Sequence, residues 1–65
     1  MFTKREDQVI KLLIQGYNNN EISKRLMITT HTIKAHLASI YQKLGVVNRV
    51  QATVKYLKLT SEIKD

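Results

Sequence analysis

The sequence predicts an all-α domain, a compact set of four helices that contains a helix-turn-helix. Three observations predict it. The chain has no proline and no run of strict apolar–polar alternation, so nothing breaks a helix internally and nothing reads as a half-buried strand. Its only glycines, Gly16 and Gly45, fall between segments of helical periodicity. A capping residue followed three positions later by Glu or Gln stands just ahead of a periodic segment three times, at Thr3/Glu6, Asn18/Glu21 and Asn48/Gln51.

The first helix is expected over about residues 4–15. Thr3 and Glu6 can each satisfy a backbone N–H at its start, and Val9, Leu12 and Leu13, widened by Ile10 and Ile14, form one apolar stripe. Gly16 can take the left-handed conformation that ends it. The second helix, about 19–27, opens on Asn18/Glu21 and buries Ile22 and Leu26; Met27 and Ile28 then break the period. Thr29 caps the third, about 30–44, in which Ile33, Leu37, Ile40 and Leu44 lie on one face until Gly45 stops it. The fourth, about 49–59, opens on Asn48/Gln51, and the final TSEIKD reads as frayed.

Helices two and three, a few residues apart, have the spacing of a helix-turn-helix crossing at about 90–120°. Ile22, Leu26, Ile28, Ile33 and Leu37 supply its apolar corner, with the small Ser23 where the helices approach most closely.

With 65 residues the whole chain, 1–65, is one domain with one core. It has no cysteine, so disulfides and thiolate metal sites are excluded, and two histidines alone make a poor zinc site. No apolar run approaches the length of a membrane span and MFTKRED lacks the apolar core of a signal peptide, so a cytoplasmic protein is expected. No nucleophile–base–acid set, paired carboxylates or phosphate-cradling glycine loop stands out, and a body this small builds a pocket with difficulty. Neither an enzyme nor a cofactor is expected.

Charge points to a partner. Eleven Lys and Arg against five Asp and Glu give +6, and between residues 8 and 61 Glu21 is the sole acid against eight bases. A basic balance on so small a body favours a polyanion, chiefly nucleic acid. Opposite its apolar stripe the third helix carries Thr30, His31, Lys34, Ala35, Ala38 and Tyr41, and there is no acid from Thr29 to Leu44. Hydroxyls and free N–H groups at a helix start suit a phosphate. Lys34 can reach a guanine edge or a phosphate, and Ala35 and Ala38 allow close approach and contact with a thymine methyl. His36 lies beside the apolar stripe and reads as half-buried and structural, and Tyr17 and Tyr41 as boundary packing.

The motifs T-K-R-E (3–6), V-I-K-L-L (9–13), G-Y-N-N-N-E-I-S (16–23), I-T-T-H-T-I-K-A-H (28–36), K-L-G-V (43–46) and N-R-V-Q-A (48–52) resemble the LuxR-type, or GerE-like, helix-turn-helix family over Phe2 to about Leu59. The resemblance implies a four-helix domain that binds double-stranded DNA as a dimer. Such a domain is usually the carboxy-terminal output part of a longer regulator, with an amino-terminal receiver or sensor. It implies that the third helix enters the major groove with Lys34 as main basic contact and Ala35 and Ala38 towards bases. Thr30 and Thr32 lie near the backbone, and Asn20, Asn48 and Arg49 are flanking phosphate candidates. Asn20 stands where the family commonly has a basic residue, and Ser23 where it has alanine. With so few long side chains to read bases, DNA shape is expected to contribute to specificity.

The fourth helix carries two apolar stripes, Val50/Val54/Leu57 and Ala52/Tyr56/Leu59, where closing a core needs one. The surplus suits a weak homodimer promoted on DNA. The sequence does not decide which stripe is surplus; Ala52, Tyr56 and Leu59 are the candidate dimer residues. The alternative to DNA reading is a helical protein-interaction module that keeps the fold. A basic membrane-surface helix fits poorly, because several capped helices replace one long amphipathic one.

Overall fold

The computed structural model describes residues 2–62 and contains four helices: α1 (Lys4–Ile14), α2 (Asn19–Leu26), α3 (Thr30–Leu44) and α4 (Arg49–Glu62). No strand occurs among the described residues. Met1 and residues 63–65 of the expected frayed tail lie outside them.

The helix starts follow the caps. Thr3 Oγ1 accepts from Glu6 N (3.1 Å) while Glu6 Oε1 accepts from Thr3 N (2.9 Å), and Asn18 and Glu21 do the same at 2.9 Å each way. At α3, Thr29 Oγ1 accepts from Thr32 N at 3.1 Å. The third expected box is one-sided. Asn48 Oδ1 accepts from Gln51 N (2.9 Å), but Gln51 Oε1 reaches past Asn48 to Val47 N (3.0 Å).

The first three helices end alike. Tyr17 N, Ile28 N and Val46 N donate back to Leu12 O, Ser23 O and Tyr41 O, and the residue before each donor is left-handed. This closure satisfies carbonyls that the helix leaves unpaired. Two of those left-handed positions are Gly16 and Gly45, as expected; the third is Met27, at φ 58°, where α2 stops one residue sooner than its apolar pattern suggests. In α4 the helix instead continues beyond Leu59, and Thr60 and Ser61 fold their hydroxyls back onto the carbonyls of Tyr56, Leu57 and Lys58.

Helix α3 is the centre of the body and packs against all three others. Its Ile33, Leu37, Ile40 and Leu44 are buried with Val9, Ile10 and Leu13 of α1, Ile22 of α2 and Ala52 of α4. Leu26 and Ile28 pack against this core half-buried, so the expected corner between α2 and α3 is formed. Ser23, buried at that corner, donates from Oγ to Asn20 O at 2.8 Å, which gives its hydroxyl a partner.

One buried acid ties α1 to α3. Glu6 is 4% exposed, on the same stripe as Val9, Ile10 and Leu13. Besides its cap, its carboxylate accepts from Ser39 Oγ (2.5 Å) and Lys43 Nζ (2.6 Å). These donors, the lysine first, then the serine and the Thr3 N–H, outweigh desolvation and hold the Glu6 pKa down at about 2.

Helix α4 places the three expected dimer residues in different surroundings. Ala52 is fully buried, because α4 approaches the body closely enough to need a small side chain there. Tyr56 is half-buried, its ring 6.3 Å from that of Phe2. Ala52 is not available to a second copy while the core stays closed, whereas Tyr56 keeps part of its surface exposed. The solvent-facing stripe is the other one: Val50, Val54 and Leu57 are exposed, along with Val47 just before the helix; Leu59, on the Ala52 side of α4, is also exposed.

Candidate nucleic-acid interface

The amino-terminal ends of α2, α3 and α4 meet round one open depression. Gly16, Asn18, Asn19 and Asn20 form one wall, Thr30 and Lys34 of α3 a second, and Arg49 of α4 the third. Its volume is about 600 Å³ and it is open to solvent, a surface for a long ligand and not an enclosed pocket. No acid lines it.

The caps dictate this convergence. Gly16 turns the chain so that Asn18 starts α2 beside the start of α3, and the left-handed Met27 aims α3 across α2. Helix α4 is fastened by Arg49: its Nη1 donates to Tyr17 O and its Nη2 to Asn19 Oδ1, both at 2.8 Å. The half-buried guanidinium thus keeps two neutral partners and no carboxylate. Three of its five N–H donors stay uncommitted to these bonds.

Of the expected site residues, the structure brings Asn20, Thr30, Lys34 and Arg49 together round the depression. His31, Lys34, Ala35 and Ala38 are exposed along α3, so the helix presents a low, acid-free face to solvent. Thr32 and Asn48 are engaged otherwise. Thr32 Oγ1 lies 3.0 Å from Thr29 Oγ1 inside the α3 cap, and the Asn48 side-chain oxygen caps α4. His36 is half-buried, as its place beside the stripe suggests. Sequence reasoning missed Asn19, whose partner lies thirty residues away, and Lys43, whose charge Glu6 neutralises on the far side of α3.

Beside the depression Tyr17, Glu21, Lys24 and Arg25 form a second surface, with the Arg25 guanidinium 4.1 Å from the Tyr17 ring centroid. Glu21 is the one acid lining this surface among the described residues, and one of its oxygens accepts from Asn18 N in the α2 cap. Among the described residues no helix is long and apolar enough to cross a membrane, and no cluster of His, Asp and Glu is arranged to hold a metal ion.

Comparison with known proteins decides the family. The model of bacterial regulatory proteins of the luxR family matches residues 1–56. The chain belongs to that family. This luxR-family domain is 42% identical over 57 residues to the HTH-type transcriptional regulator MalT of Yersinia pestis strain Pestoides F, and equally to that of Yersinia pseudotuberculosis strain IP 31758. The match covers 88% of this chain and 6% of either regulator. Its fold superposes on a crystal structure of the response regulator ChrA of a heme-sensing two-component system with a TM-score of 0.89. That pair shares 35% identity, over 92% of this chain and 30% of ChrA. The luxR-family domain therefore spans a small fraction of these relatives. It is a DNA-binding helix-turn-helix domain of the kind that serves transcription regulation.

Proposed function

We propose that this domain binds double-stranded DNA sequence-specifically, with α3 in the major groove and the three-walled depression on the adjoining phosphate backbone. One observation carries the reading: exposed Lys34 lies both on the acid-free face of α3 and in a depression shared with Asn20, Thr30 and Arg49. A groove-reading helix needs that juxtaposition, since base contacts specify while phosphate contacts fix its register. Lys34 reaches a base edge or the phosphate beside it, Ala35 and Ala38 let α3 approach, and His31 and Thr30 lie at the groove margin. The side chains of Thr32 and Asn48 serve the caps, so they contribute to the backbone contact chiefly by orienting the helix starts.

The exposed Val50/Val54/Leu57 stripe takes over the dimer role expected of Ala52, Tyr56 and Leu59, which lie on the other side of α4. A patch of three side chains falls short of the roughly 1,000 Å² of a stable interface, so the isolated domain is monomeric and pairs on DNA. We read the chain as the output part of a longer cytoplasmic regulator whose amino-terminal part is a receiver or sensor. The small share of MalT and of ChrA that it spans supports that reading.

Selection from randomised duplexes tests the function. A defined motif should emerge, and Lys34→Ala should weaken binding to it by about 1–3 kcal/mol. Two half-sites about 10 base pairs apart should bind more tightly per site than one, and Val54→Asp should abolish that gain. Failure to enrich any motif would leave a helical protein-interaction module as the better description.

A further inference from the structure

We infer that Asn19 is a positioning residue for DNA binding, kept neutral so that the charge of Arg49 stays available to a phosphate. The inference rests on the DNA-binding reading above and adds a residue that the sequence did not single out.

The argument starts from charge. Arg49 is half-buried, and its guanidinium is held by the Tyr17 carbonyl and the Asn19 side-chain oxygen, both uncharged. Burying part of a cation without an anion is unfavourable unless an anion arrives. The same molecule shows the other solution: Lys43, a third exposed, is neutralised by Glu6. An aspartate at position 19 would give Arg49 an equivalent partner. It would also place an acid at the first residue of α2, where the helix dipole favours it. Both effects favour aspartate for stability. The chain has asparagine, in the wall of the depression that Lys34 and Thr30 complete.

Asparagine does what aspartate cannot. Its oxygen fixes the guanidinium while adding no charge, so Arg49 faces the depression with its positive charge intact. With that oxygen occupied, the amide N–H pair of Asn19 is left as donor, which suits a phosphate oxygen. The Asn19–Arg49 pair thus prepares a phosphate cradle before DNA arrives and fastens α4 to the start of α2.

The test is a double-mutant cycle of Asn19→Asp and Arg49→Gln, with thermal melting beside titration of a fluorescein-labelled, mixed-sequence duplex across a salt series. Asn19→Asp should melt at or above the unaltered domain, bind about 3- to 10-fold more weakly at 0.1 M salt, and lower the salt slope by about one unit. In the Arg49→Gln background the same substitution should cost much less affinity, since its target charge is gone. Arg49→Met, equally uncharged, replaces Arg49→Gln if the glutamine variant melts too low. Equal losses in both backgrounds would show simple repulsion of DNA by the new acid and overturn the positioning role while leaving DNA binding intact. Unchanged affinity in Asn19→Asp would overturn it as well, and failure of the unaltered domain to bind any duplex would overturn both readings.

Discussion

Two lysines of α3 stand nine residues apart, about two and a half turns, and so on opposite faces of one helix. Lys43 faces α1, where Glu6 takes its charge at 2.6 Å and Ser39 completes the carboxylate's shell. Lys34 faces the depression with no carboxylate beside it, in company with the equally unneutralised Arg49. The first region spends its charges inside the fold and the second keeps them for a partner. A basic composition alone does not separate these uses, because both lysines contribute equally to the net charge. Burial and pairing separate them.

The largest effect should come from breaking the α1–α3 latch. Glu6→Ala removes half of the α1 capping box, worth about 1 kcal/mol, and leaves Lys43 and Ser39 without their acceptor. The lowered Glu6 pKa corresponds to about 2 kcal/mol once solvent screening at the partly exposed lysine is discounted. Because that shift already includes the Thr3 N–H of the capping box, the total loss is about 2 kcal/mol and should lower Tm by roughly 10 °C in a domain of this size. Folding lowers this pKa, so the contribution is complete above about pH 4.5 and fades as pH falls towards 2. Urea midpoints across that window should drop for the unaltered domain and stay flatter for Glu6→Gln. Parallel pH profiles would mean that the latch does not hold the carboxylate charged.

Next come the caps. Asn18→Ala opens a two-sided box and should cost about 1 kcal/mol, read from urea unfolding. Asn48→Ala should cost less, since Gln51 bonds to Val47 and not to the Asn48 N–H. Equal losses would show that one-sidedness has no energetic consequence. Because Asn18 also lines the depression, its loss should weaken duplex binding too, whereas Thr3→Ala, remote from the depression, should alter stability alone.

The smallest effect concerns the turn between α2 and α3. Met27 is 90% exposed and left-handed, so its side chain packs little while its Cβ strains the backbone. Met27→Gly should raise stability by about 0.5–1 kcal/mol, net of the entropy that glycine adds to the unfolded chain. Met27→Ala keeps the Cβ and should give no gain. Stabilisation by both would place the benefit in removing an exposed apolar side chain.

What the sequence discloses and what it hides divide by distance along the chain. The caps, the four helices and the α2–α3 corner rest on residues three to fifteen positions apart, and local periodicity reveals them. Glu6 was half legible: its cap partner is three residues away, but Ser39 and Lys43 are 33 and 37 away. Its place on the Val9–Ile10–Leu13 stripe was the available signal that it is buried. Arg49 was legible only as a flanking cation, because Tyr17 and Asn19 lie about thirty residues before it. The exposed face of α4 is illegible for another reason. Its exposed stripe of Val50, Val54 and Leu57 is more hydrophobic than the inward one, which carries Ala52 and the polar-tipped Tyr56. Hydrophobicity ranks those stripes in the wrong order; only the distance between helices corrects it.

The central claim is that one end of α3 holds DNA while the other holds the fold. It is tested most directly by the salt dependence of duplex binding in Lys34→Ala and Lys43→Ala, each with its melting temperature. Lys34→Ala should bind more weakly and melt like the unaltered domain, with a salt slope lower by about one unit if the side chain contacts a phosphate. Lys43→Ala should melt lower and, at a temperature where it is folded, retain both affinity and slope. The contradicting result is a Lys43→Ala domain that loses as much DNA affinity as Lys34→Ala while folded, or a Lys34→Ala domain that loses none.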